Sequence, residues 1–169
     1  MKAVMFDIRD FINKYGSSID EERKGRRKDT NEVFTPFEIV EHMCEMIPVK
    51  DWSDPEKTFL EPTFGNGNIV CYIVYKRIIN KVPWDKALGT LYGIELMPDN
   101  VKECKDRVIE LLRLFVEAKA MAVEGFDERR ARQIMDRNLV CSDFFDWDIE
   151  NWKPMQKEMP AQSTAVALF

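Results

Sequence analysis

The segment Phe59–Asn68 is the part of the sequence whose residue types and spacing are best suited to chemistry. It joins a short apolar strand to an acid, Glu61, and then to two closely spaced glycines, Gly65 and Gly67. Because glycine has no Cβ, a backbone turn built from it lets a nucleotide-like ligand approach closely. Apolar residues then recur at helical spacing, and we expect Asn68 to cap that helix. The segment therefore predicts a cofactor pocket formed by a strand, a tight turn and a helix.

Three other segments place polar residues where such a pocket needs them. The pair Thr35–Pro36 opens an amphipathic helix, and we expect its threonine to be the cap and its proline the first helical residue. Leu91–Leu96 predicts a strand whose terminal acid, Glu95, can accept hydrogen bonds from both hydroxyls of a ribose. Asn138–Phe145 predicts another strand, with Asp143 at its carboxyl end. Each has a plainer interpretation, as a helix cap, a solvated strand end or the start of a turn.

In order and spacing, the four segments resemble the class I S-adenosylmethionine-dependent methyltransferases, in the Asp/Glu-Pro-x-x-Gly-x-Gly-Asn form of the adenine-N6 DNA methylases. The resemblance spans most of Asn31–Asp146 and implies a Rossmann-like parallel sheet with S-adenosyl-L-methionine as cofactor. It places Glu61 at the amino-acid end of the cofactor, Glu95 at the ribose and Asp143 at the exocyclic amine of the adenine, with Phe144 beside the ring. The cofactor-binding residues that it implies are Phe34, Thr35, Pro36, Glu61, Pro62, Thr63, Gly65, Asn66, Gly67, Asn68, Glu95, Leu96, Asp143 and Phe144.

The motif that captures the target base in these methylases is missing from this sequence. In the family, a strand after the third motif ends in Asn/Asp/Ser-Pro-Pro-Tyr/Phe, which hydrogen-bonds the target amine and stacks on the extruded base. This sequence contains no Pro-Pro pair, and in Asn151–Pro154 the polar, aromatic and proline residues have the wrong spacing. We interpret that segment as a surface loop with a packed indole, and we assign no catalytic residue.

Two functions therefore remain open. The resemblance implies S-adenosylmethionine-dependent methylation of adenine N6 in DNA, for which a second chain would have to supply base capture. The alternative is a catalytically silent methylase-like binding module, similar to the short methylase-like proteins of bacteriophages. Such a module would act as a regulatory or counter-defence protein through the cofactor or a protein partner.

Composition indicates one soluble domain. The chain has 169 residues, of which 45% are apolar and 33% are charged, enough for a core but not for two independent domains. The sequence has neither an apolar run of about 18–20 residues nor a signal-peptide pattern, so we interpret the protein as cytoplasmic, in the host cytoplasm if it is phage-encoded. With His42 as the only histidine and four scattered cysteines, we expect no metal site and predict free, buried thiols at Cys44, Cys71, Cys104 and Cys141.

A basic segment is the only feature that favours DNA contact by charge. The formal net charge of −5 argues against a protein that coats DNA by bulk attraction. Locally, five of the six residues from Arg23 to Lys28 are basic and directly precede the Thr-Pro segment, where a phosphate backbone could pass the pocket mouth. The alternative is a solvated hinge. The DNA-binding candidates are Arg23, Lys24, Arg26, Arg27 and Lys28.

Alternating strand and helix patterns predict an α/β fold with a truncated parallel sheet of three to four strands, ordered third, second, first, and an N-terminal helical extension. The predicted divisions are 1–30 for the N-terminal helix and basic linker, 31–150 for the cofactor-binding domain and 151–169 for a C-terminal tail. The predicted helices are Met5–Tyr15, Pro36–Ile47, Asn68–Asn80, a longest helix Asp99–Val123 led by Pro98, and Asp127–Arg137, with loops at 51–56 and 81–89.

The first strand of such a sheet has an open edge, which invites pairing with another strand. The apolar segment Ser163–Phe169 is predicted to pair there as a fourth strand. The same segment also resembles docking peptides that bind pockets on partners such as sliding clamps. A protein partner or a second copy of the chain covering the edge is a further alternative.

Overall fold

A computed structural model of the chain describes residues 6–16 and 34–155. Within these residues the fold is α/β, with three parallel strands, packed helices and a two-stranded antiparallel hairpin. The α-helices are α1 (Ile8–Gly16), α2 (Phe37–Glu45), α3 (Val49–Ser53), α4 (Asn68–Ile79), α5 (Trp84–Gly89), α6 (Pro98–Glu117) and α7 (Glu128–Asn138). The strands are β1 (Phe59–Glu61), β2 (Leu91–Glu95), β3 (Leu139–Cys141), β4 (Trp147–Asp148) and β5 (Lys153–Pro154), and 3-10 helices lie at Met121–Val123 and Phe144–Asp146.

The sheet has the predicted strand order, with β2 between β1 and β3 and all three strands parallel. Glu61 at the end of β1 lies opposite Gly93, so Glu95 at the end of β2 projects two residues further, or roughly 7 Å. The chain that follows Glu61 runs beside this last part of β2, since the N–H of Phe64 donates to the carbonyl of Ile94 (3.2 Å). The two acids are thus staggered along the carboxyl edge of the sheet.

Helix α4 is the element around which the other helices pack. It contacts α1, α2, α3, α5 and α6. Its sequence is apolar nearly all round, which is typical of a buried helix, and Val70, Cys71 and Val74 are fully buried. Because α4 begins directly after the glycine turn (Pro62–Gly67), the core fixes where that turn lies.

Arg77 is a buried charge in α4 that holds the opposite, amino end of β1. Its guanidinium donates to the carbonyls of Lys57 (2.7 Å), Asp54 (3.1 Å) and Pro55 (3.2 Å). It also lies over the ring of Phe59, 5.0 Å from the ring centroid. Burial lowers the pKa of this guanidinium. The three carbonyls satisfy its terminal nitrogens, while its buried Nε has no hydrogen-bond partner among the described residues.

Two segments predicted as loops contain short helices, so those predictions are wrong. Helix α3 buries Trp52, whose ring stacks on Phe59 at 5.2 Å. Helix α5 buries Trp84. Pro48 and Pro83 are the respective N-cap residues. Both helices are only one to two turns long, so their apolar residues, Trp52 in α3 and Trp84, Ala87 and Leu88 in α5, do not repeat over enough turns for a sequence pattern to detect them.

Helix α6 ends at Glu117, six residues before the predicted end at Val123. Lys119 has φ 55, and the N–H of Ala120 donates back to the carbonyl of Phe115 (3.0 Å). This is the hydrogen-bond pattern of a left-handed helix end, which usually requires glycine. A lysine occupies the position here, so the sequence carries no signal for the stop.

The starts of α2 and α4 each differ by one residue from the prediction. Pro36 is the N-cap residue of α2 and makes no side-chain cap bond, so Thr35 is not the cap. Gly67, with φ 93, is the N-cap residue of α4, and Asn68 is the first helical residue. The side chain of Asn68 is therefore directed to other partners, which lie in the candidate site.

The other helix predictions are confirmed in their main features. Ile8, Phe11 and Ile12 form the buried side of α1, although the described helix begins at Ile8. Pro98 is the first residue of α6. Asp127 caps α7, and its carboxylate accepts a backbone N–H of the first turn (2.8 Å).

Three of the four cysteines are buried free thiols, as predicted, but Cys141 at the end of β3 is exposed. Burial raises the pKa of Cys44 and of Cys71 to about 11, so these thiols stay protonated and unreactive at neutral pH. Across the described residues, no three His, Cys, Asp or Glu side chains are close enough together to hold a metal ion. None of the helices in that part of the chain has the length and apolar content to cross a membrane.

Gly67→Ala is expected to destabilise the fold strongly. Gly67 has φ +93, and a Cβ there would lie 2.5 Å from Sγ and 2.9 Å from Cβ of Cys104 in α6. Relieving that overlap requires α4 and α6 to move apart. We expect the free energy of unfolding to fall by about 3 kcal/mol or more, measured by urea denaturation.

Gly89→Ala is the matched control for that measurement. Gly89 ends α5, and no atom lies within 4 Å of the position its Cβ would take. Removing a helical glycine here is expected to be neutral or to stabilise the fold by about 0.5 kcal/mol. Equal losses in both variants would show that the contact with Cys104 does not determine the need for Gly67.

Candidate functional site at the glycine turn

The glycine turn crosses the carboxyl edge of the sheet in a conformation that only glycine adopts easily. Gly65 has φ 53 and Gly67 has φ 93, both in the left-handed region. The N–H of Gly67 donates to the carbonyl of Phe64 (2.9 Å), which closes the turn. The predicted sharp bend between strand and helix is therefore present.

Glu95 is the acid that fastens the glycine turn to β2. One carboxylate oxygen accepts the N–H of Gly65 (2.9 Å), and the other accepts the N–H of Met97 (2.9 Å) and lies 3.4 Å from Nδ2 of Asn100. Such charge-assisted bonds to backbone N–H groups are strong. Because a carboxylate has about four acceptor positions, two ribose hydroxyls would have to displace at least one of these donors. The ribose-binding role of Glu95 stays a prediction.

Glu61 has fewer hydrogen-bond partners than Glu95. Its side chain is partly buried at the end of β1, and burial raises the pKa of the carboxyl. One oxygen accepts the N–H of Thr63 (3.3 Å). Within residues 6–16 and 34–155 it has no ion-pair partner, unlike most buried carboxylates. A partly buried acid whose pKa is raised by burial, with no cation among the described residues, is a candidate for contact with a cationic ligand.

The segment before α2 lies against the glycine turn, which Glu95 also contacts, so three of the four predicted segments meet at the turn. The ring of Phe34 lies 3.4 Å from the position that a Cβ on Gly65 would take. The side-chain amide of Asn68 donates to the carbonyl of Thr35 (2.8 Å). Pro36 is exposed. The Phe-Thr-Pro segment therefore forms a wall beside the turn and is tied to the start of α4.

Arg107 of α6 is a site residue that the sequence analysis missed. Its guanidinium donates to the carbonyl of Asn66 (2.7 Å), between the two glycines, and to Oδ1 of Asn68 (2.8 Å). It is 1% exposed. The available signal was its position: Arg107 follows Cys104 by three residues and precedes Leu111 by four, so it lies on the buried face of the helix.

Asn66 occupies the apex of the turn with a buried side chain. Its Nδ2 donates to Glu103 of α6 (3.3 Å), and the residue is 1% exposed. Its Oδ1 is buried and has no hydrogen-bond partner in the described part of the chain. Buried polar atoms are rarely left in this state.

Asp143 follows β3 but is engaged in local structure. Its carboxylate accepts the N–H of Phe145 (2.9 Å) and caps the 3-10 helix. This matches the plainer interpretation, a residue that starts a turn, although an exposed carboxylate keeps further acceptor positions. Phe144 is half-buried, whereas Phe145, which the sequence analysis did not select, is 83% exposed. Leu96, at the end of β2, is also 60% exposed.

Asn151–Pro154 forms part of the β4–β5 hairpin, which confirms its interpretation as a loop with a packed indole. Asn151 donates through both its backbone N–H (3.1 Å) and Nδ2 (2.8 Å) to the carboxylate of Asp148. Trp152 packs on Tyr92 of β2 at 4.8 Å and donates to the carbonyl of Arg137 (2.8 Å). The polar and aromatic groups of this segment are therefore already used within the protein.

A concavity lies away from the glycine turn. It is a cleft of about 410 Å³ between the outer face of β1 and β2 and the hairpin. None of the residues lining it belongs to the glycine turn. The lining residues of the cleft are Thr58, Phe59, Leu60, Tyr92, Ile149, Glu150 and Trp152.

The predicted DNA-binding residues Arg23–Lys28 and the tail Ser163–Phe169 lie outside the described residues.

Comparisons of this chain with protein-family models, with curated proteins and with solved structures find no significant match. The strand order and the position of the glycine turn are compatible with a truncated Rossmann-like fold. The functional interpretation therefore depends on the residues and their geometry.

The raised pKa of Glu61 predicts a pH-dependent stability difference. A carboxyl whose pKa is higher in the folded state favours folding below its unfolded pKa, and that contribution is lost as pH rises through the folded value. Glu61→Gln is therefore expected to be more stable than the wild type at pH 7. The difference should shrink as pH falls toward 4, in urea denaturation at both pH values.

Glu150→Gln is the control for this effect, because Glu150 is an exposed carboxylate in the hairpin loop. Its stability should follow that of the wild type at both pH values. A Glu61→Gln variant that is less stable than the wild type at pH 7 would contradict the assignment of Glu61 as a carboxylate whose charged form is destabilised by burial.

Proposed function

We propose that this chain binds S-adenosyl-L-methionine at the glycine turn, as a protein of the adenine-N6 DNA methylase type. One observation carries the proposal: a turn with two left-handed glycines leaves a parallel strand at the carboxyl edge of the sheet, beside the terminal acid of the next strand. This is where nucleotide cofactors bind in open parallel α/β sheets. The space that a Cβ would take is occupied by the ring of Phe34 at Gly65 and by Cys104 at Gly67, so a ligand would have to approach the turn from its other side.

The charge of the ligand suits Glu61. S-adenosylmethionine carries a sulfonium and an ammonium cation, and Glu61 is a partly buried carboxylate without an ion-pair partner among the described residues. A cation next to it would favour the charged form and remove the cost that burial imposes. We assign the amino-acid end of the cofactor to Glu61.

The adenosyl part is assigned to the ends of β2 and β3. The ribose hydroxyls would share Glu95 with the donors of the turn, so that binding replaces at least one of its present hydrogen bonds. The adenine would lie near Leu96 and the Asp143–Phe145 segment, where exposed apolar side chains offer a stacking surface. Apolar side chains with a few polar groups are the usual lining of such pockets.

Binding is tested by calorimetric titration with S-adenosylmethionine and with its demethylated product. We expect the wild type to release or absorb heat with saturation, and Gly65→Val to lose binding. A branched residue at φ +53 would strain the turn and would meet the ring of Phe34, 3.4 Å from its Cβ.

Gly89→Ala is the control for that titration, because Gly89 lies in α5, outside the proposed site. It should bind like the wild type. The proposal is wrong if the folded wild type gives no heat at millimolar ligand, and the placement of the ligand is wrong if Gly65→Val binds with unchanged affinity.

Methyl transfer to adenine N6 in DNA is the second candidate function. In such a reaction the sulfonium already activates the methyl group, so the protein has to align the base amine with it and exclude water. The chain's nearest equivalent of a base-capture segment, Asn151–Pro154, has its polar groups engaged by Asp148 and Arg137. This favours a cofactor-binding module over a self-sufficient enzyme.

Transfer of labelled methyl groups to unmodified DNA separates the two functions. For the isolated chain we expect cofactor binding without transfer. The matched sample contains the chain together with a base-capturing methylase subunit. Transfer by the chain alone would establish the enzyme, and would show that base capture uses residues other than Asn151–Pro154.

A further inference from the structure

Arg107 is a buried cation whose principal acceptors belong to the glycine turn. It is 1% exposed, and its two terminal nitrogens donate to the carbonyl of Asn66 (2.7 Å) and to Oδ1 of Asn68 (2.8 Å). Tyr15 of α1 covers it, with the guanidinium carbon 4.5 Å from the ring centroid. The charge is therefore placed between the turn on one side and an aromatic face on the other.

A buried guanidinium stabilises a structure only if its hydrogen bonds and charge are compensated. The terminal nitrogens of Arg107 find acceptors in Asn66 and Asn68, whereas its buried Nε has no hydrogen-bond partner in the described part of the chain. A turn conformation that moved the carbonyl of Asn66 would leave Arg107 without one of its acceptors. The arrangement therefore penalises alternative conformations of the turn.

The same contacts extend to the segment before α2. Asn68 accepts from Arg107 through Oδ1 and donates to the carbonyl of Thr35 through Nδ2 (2.8 Å). One asparagine thus links α6, the start of α4 and the wall formed by the Phe-Thr-Pro segment. A change at Arg107 would therefore affect both the glycine turn and the Phe-Thr-Pro wall, on the two sides of the proposed ligand position.

We infer that Arg107 is a positioning residue, which holds the glycine turn and the Thr35 wall in the conformation that binds ligand. It is buried beneath the turn and acts through Asn66 and Asn68. The inference rests on the proposed function for its ligand, but the effect on the turn itself does not. A site fixed in advance binds more tightly because no ordering cost remains at binding.

Arg77 provides a matched comparison within the same protein. It is also fully buried and also donates to backbone carbonyls, yet those belong to Asp54, Pro55 and Lys57, at the opposite end of β1. Replacing either arginine with methionine removes a buried charge of the same type. Only the replacement at Arg107 removes donors from the glycine turn.

The test combines amide hydrogen exchange with calorimetry on the full chain, comparing Arg107→Met, Arg107→Lys and Arg77→Met. The readout is the exchange of the Gly65 and Gly67 N–H groups, which donate to Glu95 and Phe64. In Arg107→Met we expect these amides to exchange at least tenfold faster than in Arg77→Met, and the S-adenosylmethionine dissociation constant to rise at least tenfold. Arg107→Lys, which keeps the charge and one donor direction, should lie between Arg107→Met and the wild type in both measurements.

Each outcome decides one of the two proposals. Equal exchange at Gly65 and Gly67 in Arg107→Met and Arg77→Met would overturn the role of Arg107, whether or not ligand binds. Absence of binding by the wild type would overturn the proposed function, while the exchange data would still decide the role of Arg107. If Arg107→Met does not fold, Arg107→Lys and Arg77→Lys replace the pair, because both keep the buried charge and only the first alters the donors to Asn66 and Asn68. Faster exchange of the two amides in Arg107→Lys alone supports the inference, and equal exchange in the two variants opposes it.

Discussion

The contact between α6 and the glycine turn is the constraint on which the rest of the structure depends. At Gly67 the two elements approach so closely that no Cβ fits beside Cys104, and one turn further along α6 Arg107 donates to the carbonyl of Asn66. Helix α6 also begins just after β2, which ends in Glu95. Contact with α6 therefore keeps the turn close enough for Glu95 to accept the N–H of Gly65. The turn is held from two directions, and it joins the sheet to α4, around which most of the core packs.

The two acids at the sheet edge have different tasks despite their similar sequence contexts. Glu95 is satisfied by donors from the protein and acts first as a structural acceptor. Glu61 accepts one long hydrogen bond and has its pKa raised by burial. The position of an acid at the end of a strand is therefore not enough to tell its role, because the following turn decides which carboxylate the fold uses as an acceptor and which keeps a single hydrogen bond among the described residues.

The sequence was sufficient for features set by residue type and order. Glycines at 65 and 67, apolar strands and alternating helices predict the three parallel strands, their order and the sharp bend. It was insufficient where tertiary contact overrides local pattern. Lys119 ends α6 in a conformation usual for glycine, and the bonds of Glu95 depend on a turn 30 residues away. Arg107 looked like an ordinary helical arginine, because only its buried face reveals a role.

The outer edge of β1 sets a limit on how this sheet can grow. The N–H of Phe59 donates to Thr90 on the β2 side, so in a parallel strand the N–H of Leu60 points the other way. Pro62, the next residue with that orientation, has no N–H to donate. A strand pairing with this edge would therefore meet few outward N–H groups, which limits edge-to-edge pairing between molecules. A segment that binds this edge has to gain its affinity mainly from side-chain contacts, such as those with the residues lining the neighbouring cleft. Binding at the edge is therefore selective for the sequence of that segment.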